Sequence, residues 1–291
     1  MHMERSGSNM ILNNDYYFFK SALTDDQCDH IILRGEEEMK KMKKRGESID
    51  ATTFGRNDKA GLIEAGADEK ELVAQDAMTN QQLKKKGLTR SEDKDTKTFI
   101  RDTHISWLND QEIYGWLHPY LQRANHDAGW NFEWDWSESL QFTKYGKKQF
   151  YGWHPDAGAK PNPPYWDVRN PPQGYEYIEK EEDGVILRYP KDNGNPKDST
   201  SAKWGFNSNY AGKIRKLSMT VNLTESKNYK GGNLKFDFGP HAARARYHTC
   251  TEIRPRGSII VFPSDRYHQV TPITDGLRYS LVMWTLGKPW R

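Results

Sequence analysis

Cysteine is scarce in this chain of 291 residues. There are two, Cys28 and Cys250, far apart and outside any C-x-x-C pattern. That argues against a disulfide framework, and two free thiols are the expectation. Long apolar runs are missing too. Ile259-Ile260-Val261-Phe262 is among the longest, far short of the roughly 20 residues a spanning helix requires. With a mean hydropathy of −0.97, no membrane partner is expected. Nor is there an excess of one charge. The net charge is +3 and the pI about 8.6, too little to favour nucleic acid in the absence of a clustered basic face. The N-terminus lacks the apolar core of a signal peptide. Its opening, residues 1–9, reads as a cloning remnant and is set aside. These absences together predict a protein of a reducing cytoplasm.

A chain of this length suits one large domain or two small ones, and β barrels of this size are commonly single domains. The reading here is one domain over 10–291, with a helical N-terminal support at 10–130, a core at 131–291 and a lid-like insertion at 158–213.

Along the chain, residues 10–22, with Met10-Ile11-Leu12 and then Tyr16 to Phe19, read as a short strand with an aromatic end. Thr24 with Gln27 forms a capping-box pattern, followed by Cys28, Ile31, Ile32, Met39 and Met42 at helical spacing and closed by Gly46. Residues 47–97 are polar and charge-rich and read as loops, with a helix near Asp68 to Asp76. Thr98 to Leu108 reads as a strand. Asn109 is taken as the cap of a second helix whose Ile113, Trp116, Leu117, Tyr120 and Leu121 share one face. His104, His118 and His126 have no partner at ligand spacing and read as structural. From Phe132 the period becomes two, and short strands alternate with Gly/Pro turns to the end. That pattern predicts a mainly β fold with flanking helices, a double-stranded β-helix or cupin-like jelly roll.

The chemistry centres on Tyr151-Gly152-Trp153-His154-Pro155-Asp156. On an extended strand, His154 and Asp156 face the same side. An imidazole and a carboxylate placed so are two-thirds of a facial triad that binds Fe(II) and leaves positions open. His268 is the natural third ligand, because the strand from Gly257 to Phe262 runs into it and Arg278 follows. His248 and His241 are its rivals. The same donors also suit Mn, Co, Ni or Zn. Arg278, ten residues after His268, offers a planar fork for a carboxylate, with Ser280 beside it. In the strand Ile214 to Leu223, the face bearing Ser218, Thr220 and Asn222 is predicted to look into the barrel.

The ordered series Tyr145 to Asp156, Gly231-Gly232-Asn233-Leu234-Lys235-Phe236, and Gly257 to Trp284 resembles the Fe(II)/2-oxoglutarate-dependent oxygenases. Within them it is similar to the prolyl 4-hydroxylase-like group. The resemblance covers most of the C-terminal half. It implies a dioxygenase that uses Fe(II), 2-oxoglutarate and O₂, with ascorbate as a further reductant. Such an enzyme converts 2-oxoglutarate to succinate and CO₂ while hydroxylating an unactivated C–H bond. It also implies that His154, Asp156 and His268 hold the metal and that Arg278, Tyr145 and Ser280 hold the co-substrate. Trp284, Tyr151, Thr220, Asn222 and Val270 would line the pocket. One departure stands out. Where that group commonly carries a Tyr-Leu-Asn strand end, this chain has Asn222-Leu223-Thr224, and Ser218, Thr220 or Asn222 would take the tyrosine's place. The substrate expected is a prolyl residue of a peptide or protein, gripped by the aromatic-rich insertion. The alternatives are a free amino acid or other small molecule, or a non-catalytic cupin-like binding protein.

Overall fold

The computed structural model describes residues 14–56, 97–157, 161–162, 167–171, 173, 177–182, 184–190, 209–239 and 246–289. In chain order the elements are β1 (Tyr17–Phe19), α1 (Asp25–Lys44), β2 (Asp50–Arg56), β3 (Lys97–Leu108), α2 (Gln111–Asp127), β4 (Trp136–Ser137), β5 (Leu140–Tyr145), β6 (Phe150–His154), β7 (Tyr177–Glu182), β8 (Val185–Pro190), β9 (Ile214–Asn222), β10 (Tyr229–Gly231), β11 (Leu234–Asp237), β12 (Tyr247–Thr249), β13 (Ile259–Pro263), β14 (Tyr267–Val270), β15 (Ile273–Gly276) and β16 (Arg278–Gly287).

One large antiparallel sheet runs β1-β13-β9-β16-β5-β3-β6-β14-β11-β12, with β2 added on β3 and β4 on β16. The sheet curls back on itself. Leu234 and Phe236 of β11 pack against Ile260 and Phe262 of β13, although the two strands lie far apart in strand order. This rolled sheet is the jelly roll that the strand pattern predicted. β10 and β15 form a separate pair, as do β7 and β8. The β7–β8 hairpin is what is described of the strands within 158–213.

Helices α1 and α2 lie on the outer face of the sheet. The Thr24 hydroxyl accepts from the Gln27 amide while the Gln27 side chain accepts from the Thr24 amide, so the capping box forms. Cys28, Ile31, Met39 and Met42 of α1 and Ile113, Leu117 and Leu121 of α2 join Leu217, Met219, Val221, Leu281 and Met283 in one buried cluster. Each large side chain fully buried there contributes about 2 kcal/mol. Gly35 brings α1 close. A Cβ built there would lie 2.3 Å from the Phe142 ring, and the Ser106 hydroxyl donates to the Gly35 carbonyl at 2.9 Å. Cys28 and Cys250 are both buried and free. Among the described residues, no helix is long and apolar enough to cross a membrane.

Several local expectations are corrected. Residues 50–56, read as loop, form β2, which pairs with β3 from Asp50↔His104 to Arg56↔Lys97. Its polar composition suits a strand at the margin of a sheet. The second helix is capped by Asp110 rather than Asn109, without a side-chain capping bond. The strand pattern expected from Phe132 to Tyr145 starts only at Trp136 and is split into β4 and β5, because Trp130 and Phe132 turn into the core beside α2. The helix expected near Asp68 to Asp76 lies outside the described residues, as do most of 158–213 and His241.

Candidate metal centre

β6 ends at His154, so Asp156 lies just past the strand rather than on it. Its position is set by main chain instead. The Asp156 and Ala157 amides both donate to the Ser264 carbonyl, at 2.9 and 2.8 Å, which ties the end of β6 to the end of β13. The Phe262-Pro263-Ser264 segment therefore backs the carboxylate. Across β6 and β14, His154 pairs directly with His268. One donor atom from each of His154, Asp156 and His268 lies within 4.8 Å of the others. The Asp156 oxygens stand 3.7 Å from His154 Nε2 and 3.6 Å from His268 Nε2. His248, a rival for the third position, is engaged elsewhere, with its Nε2 2.9 Å from the Tyr16 hydroxyl.

Both imidazoles are aimed by their own strands. His154 Nδ1 lies 2.7 Å from the Gly152 carbonyl, and His268 Nδ1 lies 2.9 Å from the Arg266 carbonyl. A carbonyl only accepts, so Nδ1 carries the proton and Nε2 presents its lone pair to the centre. Burial, reinforced by the neighbouring His268, pushes the His154 imidazole down to about 3, with Asp156 opposing. Burial works to raise the Asp156 carboxyl. The two histidines, Arg215 and the Ser218 hydroxyl outweigh it and hold the group below its ordinary range. His154 is thus a neutral imidazole and Asp156 a carboxylate, the forms in which such groups ligate a divalent cation.

A cavity lies in front of these donors. Tyr145, Tyr151, Thr220, Val270, Arg278, Ser280 and Trp284 all line it. Arg278 sits at its back, 2% exposed, directly across from Tyr145 on β5. Its Nε and Nη1 are buried and have no hydrogen-bond partner, and among the described residues it forms no ion pair with a carboxylate. Gly232 makes room for it: at φ +59°, a Cβ there would come 2.4 Å from Ile273 Cδ1 and 3.1 Å from Arg278 Cδ. An unpaired buried guanidinium is costly, so the cavity is built for an anion.

Tyr151 reaches the cavity through an irregularity. A regular β6 would turn it away from His154. Between His268↔His154 and Val270↔Tyr151 the register shifts by one residue, a bulge. The Tyr151 ring then stacks on His154, centroids 3.5 Å apart and planes 11° apart. Asn222 does not line the cavity. Its amide is used by the Thr224 and Arg254 carbonyls at 2.8 Å each. Ser218 pairs with the Ser264 hydroxyl, which leaves Thr220 as the cavity-facing member of that polar face.

Sequence reasoning missed Arg215, Glu138 and Arg101. Glu138 takes Arg215 in a two-pronged pair at 2.5 and 2.8 Å. The Arg215 guanidinium also donates to the Asp156 carbonyl and lies 4.0 Å over the Trp284 ring. A register shift in β9 beside Arg215 breaks the alternation that would have revealed it.

Residues 179–286 match the family described as the 2OG-Fe(II) oxygenase superfamily, a span that includes His268 and Arg278. Among curated proteins, the chain is 37% identical over 71 residues to a PKHD-type hydroxylase of Methylobacterium nodulans, covering 24% of this chain and 27% of that one. It is 34% identical over 70 residues to the PKHD-type hydroxylase YbiX of Escherichia coli, covering 23% and 27%. The matched stretch thus spans about a quarter of the length of these relatives. Among solved structures, the viral collagen prolyl hydroxylase of Paramecium Bursaria Chlorella virus-1 aligns with TM-score 0.46 and 12% identity, over 94% of this chain and 97% of that one. A Pseudomonas putida prolyl-4-hydroxylase aligns with TM-score 0.45 and 14% identity, over 94% and 93%. Residues 179–286 are thus similar to the 2OG-Fe(II) oxygenase superfamily, and the matched stretch carries His268 and Arg278, while His154 and Asp156 join it from outside that stretch.

Proposed function

We propose that the protein is an Fe(II)- and 2-oxoglutarate-dependent dioxygenase that hydroxylates a C–H bond of a prolyl residue in a peptide or protein. The observation that carries this reading is the pairing of two features in one cavity. One is the His154, Asp156 and His268 donor set. The other is a buried arginine, Arg278, with unpartnered nitrogens. The donor set suits Fe(II). When bound, Fe(II) supplies the oxygen activation that couples 2-oxoglutarate decarboxylation to hydroxylation.

The chain's own residues hold and orient. Arg278 would take the far carboxylate of 2-oxoglutarate, with Ser280 and Tyr145 beside it, while Phe262, Leu234 and Val270 keep that end of the cavity dry. Thr220, Tyr151 and Trp284 would border the space left for the target bond. The prolyl assignment is supported by the sequence resemblance to the prolyl 4-hydroxylase-like group and by the hydroxylase names of the relatives.

The test is succinate formation from 2-oxoglutarate with added Fe(II), run with proline-containing peptides, with free amino acids and other small molecules, and with neither. Stimulation by peptide, accompanied by a mass gain of one oxygen on proline, is the expected result. Stimulation by small molecules alone would move the substrate class. No decarboxylation under any of these conditions would leave a binding protein.

A further inference from the structure

Arg101 is a second buried arginine near the metal centre, and the proposed chemistry does not use it. It lies on β3 directly across from Tyr151 of β6 and is 8% exposed. Nε donates to the Thr103 hydroxyl at 3.0 Å, while Nη2 is buried without a hydrogen-bond partner. No carboxylate among the described residues pairs with it. Its guanidinium carbon instead lies 4.6 Å from the centroid of the Tyr151 ring. That ring rests on the His154 imidazole at 3.5 Å, and the imidazole is the ligand whose Nε2 faces Asp156. Guanidinium, phenol and imidazole form one contiguous set, running from a strand of the N-terminal half to the metal centre.

A buried cation with so few hydrogen bonds is a liability unless its surroundings repay it. The Tyr151 π face does so in part, since a cation–π contact gains strength when it is desolvated. The bulge in β6 gives the contact its purpose. An irregular strand does not by itself fix the direction of the side chain at the irregularity. Tyr151 therefore needs a partner outside β6 to stay on the imidazole, and Arg101 is the residue paired with it.

We infer that Arg101 is a positioning residue for the metal centre: it holds Tyr151 flat against His154 and so fixes the plane of that imidazole. The inference rests on the metal reading of His154, Asp156 and His268. Arg101 touches neither the donor atoms nor the cavity, so its effect is transmitted through Tyr151.

The experiment is a titration of the metal-free full chain with Co(II), followed by its visible absorption, for wild type, Arg101→Met, Tyr151→Leu and the double variant. Groups behind metal ligands typically account for 10–100-fold in affinity. Arg101→Met should bind Co(II) about 10-fold more weakly, with an altered absorption envelope, in protein that still melts cooperatively. The double variant should be no weaker than Tyr151→Leu alone. Wild-type affinity in Arg101→Met, or losses that simply add in the double variant, would overturn the inference. If Arg101→Met does not fold, Arg101→Lys replaces it. Lysine keeps the charge but not the planar stack, so reduced Co(II) affinity supports the inference and wild-type affinity overturns it. Wild-type protein that takes up no Co(II) would instead overturn the metal reading itself, and the inference with it.

Discussion

Arg278 and Tyr145 face each other across β16 and β5, with the guanidinium carbon 5.4 Å from the phenol ring centroid. The ring lies against a buried cation two of whose nitrogens have no hydrogen-bond partner among the described residues. A charge kept under these conditions costs stability in the free protein and favours binding of an anion, and the two effects can be measured separately.

Arg278→Met should move them in opposite directions. Replacing a poorly satisfied buried charge by an apolar side chain of similar volume is often neutral or stabilising. The melting temperature of the ligand-free variant is therefore expected to equal or exceed that of wild type. Binding of 2-oxoglutarate should weaken about 100-fold, in line with the roughly 2–5 kcal/mol lost when one partner of a buried charge pair is removed. Calorimetric titration and thermal melts check both. Unchanged co-substrate affinity would refute the role given to Arg278.

His154→Ala should abolish uptake of a divalent cation while leaving the jelly roll folded. The residue ends its strand and contributes little to the apolar clusters. Metal analysis of dialysed protein gives the result directly, and stoichiometric metal in the variant would remove His154 from the ligand set.

Gly35→Ala should destabilise, against the usual sign. In an exposed helix interior this change gains about 1 kcal/mol. Here the new methyl would meet the Phe142 ring at 2.3 Å, and overpacking of that kind costs about 1–3 kcal/mol. A lowered melting temperature is expected, recovered in part by adding Phe142→Leu. A raised melting temperature in the single variant would show that α1 stands further from the sheet.

The two thiols should be inert in the native protein. Burial disfavours the thiolate, pushing Cys28 up to about 11 and Cys250 up to about 12. At pH 8 Cys28 is then a thiolate in about one molecule in a thousand. Ellman's reagent is expected to leave the folded protein unmodified and to titrate both residues in guanidinium. Fast native reaction at either cysteine would contradict the packing around it.

What the sequence made readable was local chemistry with a fixed spacing. Thr24 and Gln27 announced the start of α1 because both halves of the capping box lie within one turn. His154 and Asp156 announced themselves as a pair, and the strand leading into His268 completed the set. Features that depend on irregular backbone stayed hidden. Strict alternation turned Tyr151 away from His154, and a one-residue bulge turned it back. Arg215 and Glu138 lie 77 residues apart and meet because β9 and β4 both pair with β16. Asn222 lies in the predicted phase of β9, yet two backbone carbonyls capture its amide before it reaches the cavity. β2 was unreadable for a different reason. Its composition is that of a loop, and the strand exists through pairing with β3.

Each imidazole of the candidate metal centre is tethered to the peptide oxygen two positions earlier in its own chain segment, Gly152 for His154 and Arg266 for His268. One edge of each ring is thus held by main chain, and at His154 the Tyr151 ring lies against the face. Substitution of wall residues other than Tyr151 to admit a different substrate would leave those two tethers in place, so the pocket can be reshaped while both imidazoles keep their aim.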